Sequence, residues 1–295
     1  MKTLSRETVH SMIGVLFVIS GALGLIYQIV WFKYLSLFLG NTTYAQTIVL
    51  ATFMGGLAIG SAWWGRMVDH AKHPLRLYAL LEVGIGFYCL LYPRILELLK
   101  NAFISIVISA QLPSDGTMVL LLKFLTSLCS LLIPTILMGG TLPILVRFIS
   151  HKLNESGRNI AVLYFLNSLG AVIGSVLAGF FFIRILGLST TVYTAAVMNL
   201  FIGGFALVLS AVSMEQENSK AEESENPEIL FPRREIMIAG AVAGISGLAA
   251  MIYEVAWVRL LIPVLGSSTY SFSLMLVAFI SGITIGSFIV SSLVQ

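Results

Sequence analysis

The chain has 295 residues, 58% of them hydrophobic and only 11% charged, with a formal net charge of +3. A soluble domain is roughly a quarter charged, so this composition excludes an ordinary water-soluble fold, and so small a net charge gives no basis for nucleic-acid binding. The two cysteines, Cys89 and Cys129, both lie inside apolar runs, where they read as packing residues rather than a disulfide or a metal pair.

In chain order the apolar runs fall at 12–38, 42–65, 75–93, 118–149, 160–183, 188–213, 236–262 and 268–294. Each is long enough to cross about 30 Å of hydrocarbon at about 1.5 Å per residue. The expected fold class is an all-α polytopic membrane protein with eight transmembrane helices. The first run is too long for the apolar region of a cleavable signal peptide, and no small-residue cleavage site follows it.

Between the runs, basic residues set an expected topology. With the N-terminus inside, the inner segments hold Lys2, Arg6, Arg66, Lys72, Arg76, Arg147, Lys152, Arg158, Lys220, Arg233 and Arg234, which is 11 of the 17 basic residues. Cytoplasmic loops collect such residues, so both termini are expected in the cytoplasm. The stretch from Arg94 to Gly116 falls outside. Its Ile95, Leu99 and Phe103 alternate with Arg94, Glu97 and Lys100, the pattern of a helix lying on the membrane surface.

In the fourth run Pro134 and Pro143 bracket "TILMGGTL" and are expected to kink the helix. Asn167 in the fifth needs a hydrogen-bond partner. After the sixth comes "MEQENSKAEESENPE", a polar, acidic segment with the composition of a disordered linker. Three regions are expected: 1–213 as a six-helix unit, 214–235 as a cytoplasmic linker, and 236–295 as two further helices.

Those two helices repeat the first two. A shift of 226 positions places Ser20 on Ser246 without a gap, and from Ser20–Ser61 against Ser246–Ser287 there are 16 identities in 42 positions. They include Tyr27 with Tyr253, Trp31 with Trp257, Gly40 with Gly266, Gly56 with Gly282 and Gly60 with Gly286. Six helices separate the copies, an even number, so they run in the same direction across the membrane. That is the plan of the major facilitator superfamily. The loop "GRMVDHAKHPLR" loosely matches the superfamily's short basic loop. Asp69 of the first copy falls opposite Gln295, so the second copy is expected to be incomplete.

The set "SGALGLIYQIVW", "LGNTTYA", "ATFMGGLAIGS", "LYALLEVGIGFY", "PTILMGGTLPIL" and "LYFLNSLGAVIGSVLAGF" resembles the membrane region of bacterial fused major-facilitator/spermidine-synthase-like proteins. The resemblance runs from about Ile13 to the end and implies a location in the bacterial inner (plasma) membrane. Members of that family usually continue into a soluble aminopropyltransferase-like domain with a Gly-rich nucleotide loop. No such loop stands in this sequence, so no enzyme activity and no cofactor carries over.

Of the 14 acidic residues only Glu82 and Glu254 lie well inside expected helices. A charge at membrane depth costs about 2.5–3.5 kcal/mol on insertion scales and calls for a partner, a proton or a watery cavity. Glu254 and Arg259 are five apart, about 140° around a helix, so they do not share a face. Glu254 is expected to face Tyr27, Gln28 and Lys33 of the other copy. With Tyr253 these form an acidic, aromatic cluster able to hold an amine or polyamine by charge and cation–π contact.

A structural reading of the same residues stands beside it: Lys33 and Arg259 reach for headgroups, Trp31 and Trp257 anchor at the interface, and the tyrosines satisfy neighbours. Glu82 is expected to pair with the basic inner loop, with transport as the other reading. Gly56 and Gly60, Gly170 and Gly174, and Gly282 and Gly286 form small-residue faces for close helix packing.

Three functions fit the sequence. One is a transporter-like protein for a small cationic metabolite. Another is a membrane module docking a separate synthase-like protein or another membrane subunit. The third is a truncated remnant. Lipid is the one partner the composition demands.

Overall fold

In the computed structural model, residues 5–40, 42–114, 116–150, 153–217 and 233–293 are described. Among them every regular element is helical. Helix α1 (Arg6–Leu39) starts where the Ser5 side chain accepts a hydrogen bond from the Thr8 backbone N–H, satisfying one of the free donors of the first turn. It ends at Gly40 in the left-handed region, φ 72°. The repeat preserves this stop: α7 (Arg233–Leu265) ends at Gly266 with φ 66°, whose N–H closes on Ile262 as that of Gly40 closes on Ser36.

Helix α2 spans Thr42–Val68. Helix α3 (Pro74–Ser109) begins with Pro74, whose missing N–H is harmless in the first turn. It then runs 36 residues without a break through Pro93, which corrects the surface helix expected over 94–116. The reason is a tertiary hold. Phe103 packs edge-on against Phe38 of α1 at 5.4 Å between ring centres, and the Lys100 ammonium sits 5.5 Å over the same ring.

Helix α4 (Thr117–Ile149) stays helical through Pro134 and Pro143. Pro134 cannot donate to the carbonyl of Ser130 four residues back. The Tyr88 hydroxyl of α3 donates to that oxygen instead, at 3.0 Å. A neighbouring helix thus supplies the hydrogen bond that the backbone loses, as lipid cannot.

Helix α5 (Leu153–Val176) passes through a π-helical turn, Leu177–Phe182, into α6 (Ile183–Glu217). Helix α8 spans Ser268–Leu293. Among the described residues seven stretches are long and apolar enough to cross a membrane, and they mark an integral membrane protein. The expected fifth and sixth spans lie together in one stretch of 56 residues. That stretch is interrupted at Gly187, where φ 79° and ψ 174° leave the helical region for one open essentially to glycine alone.

The helices pair by crossing. Helix α2 packs most extensively on α4, α3 on α6, α1 on α5, and α5 again on α8. At the α2–α4 crossing, Gly60 lies against the Ile136 carbonyl and Gly139 against that of Leu57. At the α1–α5 crossing, Gly21 lies against the Asn167 carbonyl and Gly170 against that of Val18. Helix α1 is the most covered span and α7 the least. The acidic linker falls mostly at 218–232, outside the described residues.

Candidate functional site

The helix crossings leave a cavity of about 180 Å³ lined from α1, α2, α4, α5, α7 and α8. On α1 the wall is Ser20, Gly21 and Gly24. Gly24 meets nothing within 4 Å where a side chain would stand, so this face of α1 is hollowed by what it lacks. Gln28 closes one side and Glu254 another, with Thr141, Asn167 and Ser168 adding hydrogen-bonding groups. No Lys, Arg or His belongs to the lining.

Gln28 and Glu254 are equivalent positions of the repeat. Gln28 is 1% exposed and Glu254 6%. Each has a buried atom without a hydrogen-bond partner, Nε2 of Gln28 and Oε2 of Glu254. Buried polar atoms are nearly always paired, and these two, a donor on Gln28 and an acceptor on Glu254, are open to a partner from the cavity. Glu254 is held in place through its backbone: Gln46 of α2, itself buried, donates its side-chain amide to the Glu254 carbonyl at 3.1 Å.

The other expected site residues divide. Tyr27 is fully buried but points away from this cavity, donating to Asn199 Oδ1 of α6 at 2.7 Å and stacking on Trp31 at 5.5 Å. Trp31 is also fully buried, which corrects its reading as an interface anchor. Lys33 is half-buried, Tyr253 and Arg259 are exposed, and none of the three lines the cavity.

Glu82 neither lines the cavity nor pairs with the basic loop. It is fully buried, accepting from Ser20 Oγ at 2.6 Å on one oxygen and from the Asn199 side-chain amide on the other. Its partners come from α6, which packs closely on α3, and from α1, whose side chains reach α3 as Trp31 reaches Tyr92. Sequence reasoning missed Asn199; its signal was a lone amide inside the apolar run "AAVMNLF".

The glycine faces divide as well. A Cβ on Gly56 would overlap Thr135, on Gly60 the Ile136 backbone, on Gly170 that of Val18, and on Gly174 that of Ala22. Gly282 and Gly286 meet nothing within 4 Å, so the packing expected of them is not made by any described residue. Helix α8 uses another face against α5.

Cys89 is buried and Cys129 exposed, both as free thiols, and the described residues hold no group of three metal-ligating side chains. No family model matches the chain, and no curated protein or solved structure is significantly similar to it.

Proposed function

We propose that the protein is a transporter-like membrane protein whose central cavity takes a small organic cation, a primary amine or short polyamine. The observation that carries this reading is Glu254, an acid in the cavity wall with Oε2 unpartnered and no basic side chain in the lining. Gln28, its counterpart in the first copy, lies in the same wall, where its amide oxygen is an acceptor and its Nε2 a donor for a second polar group. An acid without a basic neighbour favours a cation, and the amide and hydroxyl oxygens around it suit ammonium N–H donors. At about 180 Å³ the space is below the 300–1,000 Å³ usual for drug-sized ligands, which restricts the occupant to a short molecule. The reading is one of binding and passage, not of catalysis.

The architecture proposed with it has eight spans in a major-facilitator-like arrangement, in keeping with the family resemblance. A single 56-residue span would be about 84 Å long, nearly three times the hydrocarbon core, and the break at Gly187 divides it. The helix pairings support an inverted repeat of α1–α3 and α4–α6. Exchange of α1 with α4 and α2 with α5 turns the α2–α4 crossing into the α1–α5 crossing, each with its reciprocal glycine contacts. Three is odd, so the second triplet runs the other way across the membrane. Both termini are proposed to lie in the cytoplasm, on the strength of the basic residues between the apolar runs.

The test is amine-dependent thermal stabilisation of the purified protein. Wild type is expected to gain melting temperature with putrescine or spermidine, and Glu254→Gln, which restores the residue of the first copy, to lose that gain while folding normally. Equal stabilisation of both proteins would remove the cation site.

One observation favours the docking reading as a second function. The face of α7 equivalent to the covered face of α1 meets little among the described residues, with Tyr253 and Trp257 exposed, and its occupant would be helices related to α3–α6 in another membrane polypeptide or segment.

A further inference from the structure

Glu82 has a place in the molecule that the cavity reading does not use. It lies in the third turn of α3, the ninth of its 36 residues, and is 0% exposed. Its oxygens accept from the Ser20 hydroxyl and the Asn199 amide, with the Tyr78 hydroxyl close by. Tyr27 completes the network through Asn199 Oδ1. The titratable groups around it are Tyr78 on its own helix, Tyr27 on α1, and Cys89 beside Tyr27. Asn199 is what faces it from α6. None of these is a cation. A carboxylate enclosed in this way has no counter-charge, and a buried group without one takes up a proton rather than keep its charge. Buried carboxyls in membrane proteins that lie on a polar path act as proton carriers.

The path here is one residue long. Ser20 donates to Glu82 Oε1, and the same Ser20 lines the central cavity. We propose that Glu82 is a proton-binding site loaded and unloaded from the central cavity through the Ser20 hydroxyl. With Glu82 protonated this bond runs the other way, Glu82 donating to Ser20 Oγ and the Ser20 hydroxyl donating to a cavity water. On unloading, the Glu82 proton passes to Ser20 Oγ as the hydroxyl's own proton passes to that water, which leaves Ser20 donating to the carboxylate. The products are a carboxylate, a neutral serine and a hydronium ion. Loading is the reverse. Asn199 and Tyr27 are positioning residues, steadying the carboxyl through its second oxygen. The inference deepens the transporter reading by naming the proton as the coupling ion, and in that sense rests on it. The proton site itself is testable without any amine.

The experiment is infrared spectroscopy of the purified protein in lipid, exchanged from H₂O to D₂O. A protonated carboxyl has a carbonyl stretch separate from carboxylate bands, and it shifts when the proton becomes a deuteron. The Glu254→Gln background leaves Glu82 as the one buried acid among the described residues. In that background a protonated-carboxyl band is expected at neutral pH, and adding Glu82→Gln is expected to abolish it. Ser20→Ala is expected to keep the band but slow its shift by about a hundredfold, the lower end of what a positioned proton-transfer group contributes. The Ser20→Ala arm retains Glu82 and so stands even where Glu82→Gln does not accumulate. Absence of the band, or an unchanged exchange rate in Ser20→Ala, overturns the proposal. A band that behaves as expected in a protein that no amine stabilises would keep the proton site and discard the amine.

Discussion

Tyr27 and Tyr253 are the same residue at the same place in two copies of one motif, and they have opposite surroundings. Tyr27 is 0% exposed with its hydroxyl on Asn199, whereas Tyr253 is 61% exposed. Trp31 and Trp257, at 0% and 54%, repeat the contrast. Replacing Tyr27 by Phe strips a buried acceptor of its donor, which costs about 1–3 kcal/mol. The loss also loosens Asn199, which holds Glu82. Tyr253→Phe removes nothing that the chain itself buries, and is expected to fall within about 0.5 kcal/mol of wild type. Unfolding of the two variants side by side in one detergent checks the pair; equal losses would mean that the Tyr27–Asn199 bond contributes nothing. At this scale the polar residues were legible as unusual, because lipid tolerates so few of them. Their partners were not, since Asn199 is 117 positions from Glu82.

For the elements, the informative case is α4. A proline in mid-helix removes one backbone hydrogen bond, and Tyr88 of α3 supplies a substitute to the Ser130 carbonyl. Tyr88→Phe should therefore cost about 1 kcal/mol or more in the wild-type background. In a Pro134→Ala background the helix regains its own N–H donor to Ser130, and the same change should cost clearly less. The double-mutant cycle measures that difference, and strict additivity would show that Tyr88 is not replacing the lost bond. The length of α3 belongs here too. The charges after Pro93 suggested a separate surface helix, but Pro93 bends no rule that tertiary contact cannot override, and Phe38 holds the extension by Phe103 and Lys100. The break between the expected fifth and sixth spans was foreseen only as a gap between apolar runs, and in the structure it is a single glycine, Gly187, near the start of α6.

In the whole molecule, the two ends of the repeat behave as a controlled experiment. Gly56 and Gly60 let α2 approach α4, while their counterparts Gly282 and Gly286 face open space. Gly56→Leu would drive a side chain into Thr135 and is expected to abolish recovery of folded protein. Gly282→Leu in the 295-residue chain is expected to leave stability within about 0.5 kcal/mol. A comparable loss from Gly282→Leu in the isolated chain would show that α8 packs there after all. A fall seen only in the native membrane would point to covering helices from elsewhere. Orientation is checked separately. A cysteine at Ser219, in the segment between the repeat units, is expected to resist membrane-impermeant maleimide added outside intact cells and to react once the membrane is opened. Labelling from outside would reverse the proposed topology.

By itself the sequence determined the solvent, the apolar runs and the repeat. Long uncharged runs leave a backbone no choice but helix in hydrocarbon, and a gapless match of Trp, Tyr and Gly at matched positions survives any packing. It also singled out Gln28 and Glu254, because polar groups in such runs carry a cost that composition makes visible. What only the tertiary structure decided was which faces are covered. A lipid-facing Leu and a core-facing Leu have the same chemistry, so helices that are apolar all round carry no stripe to mark their inner side. Hence the sequence could pair Tyr27 with Tyr253 and Gly56 with Gly282 but could not tell that one of each is enclosed and the other bare. Nor could it tell that Glu82 belongs to Ser20 and Asn199 while Glu254 faces a cavity, for both are lone acids in apolar helices until their neighbours are in place.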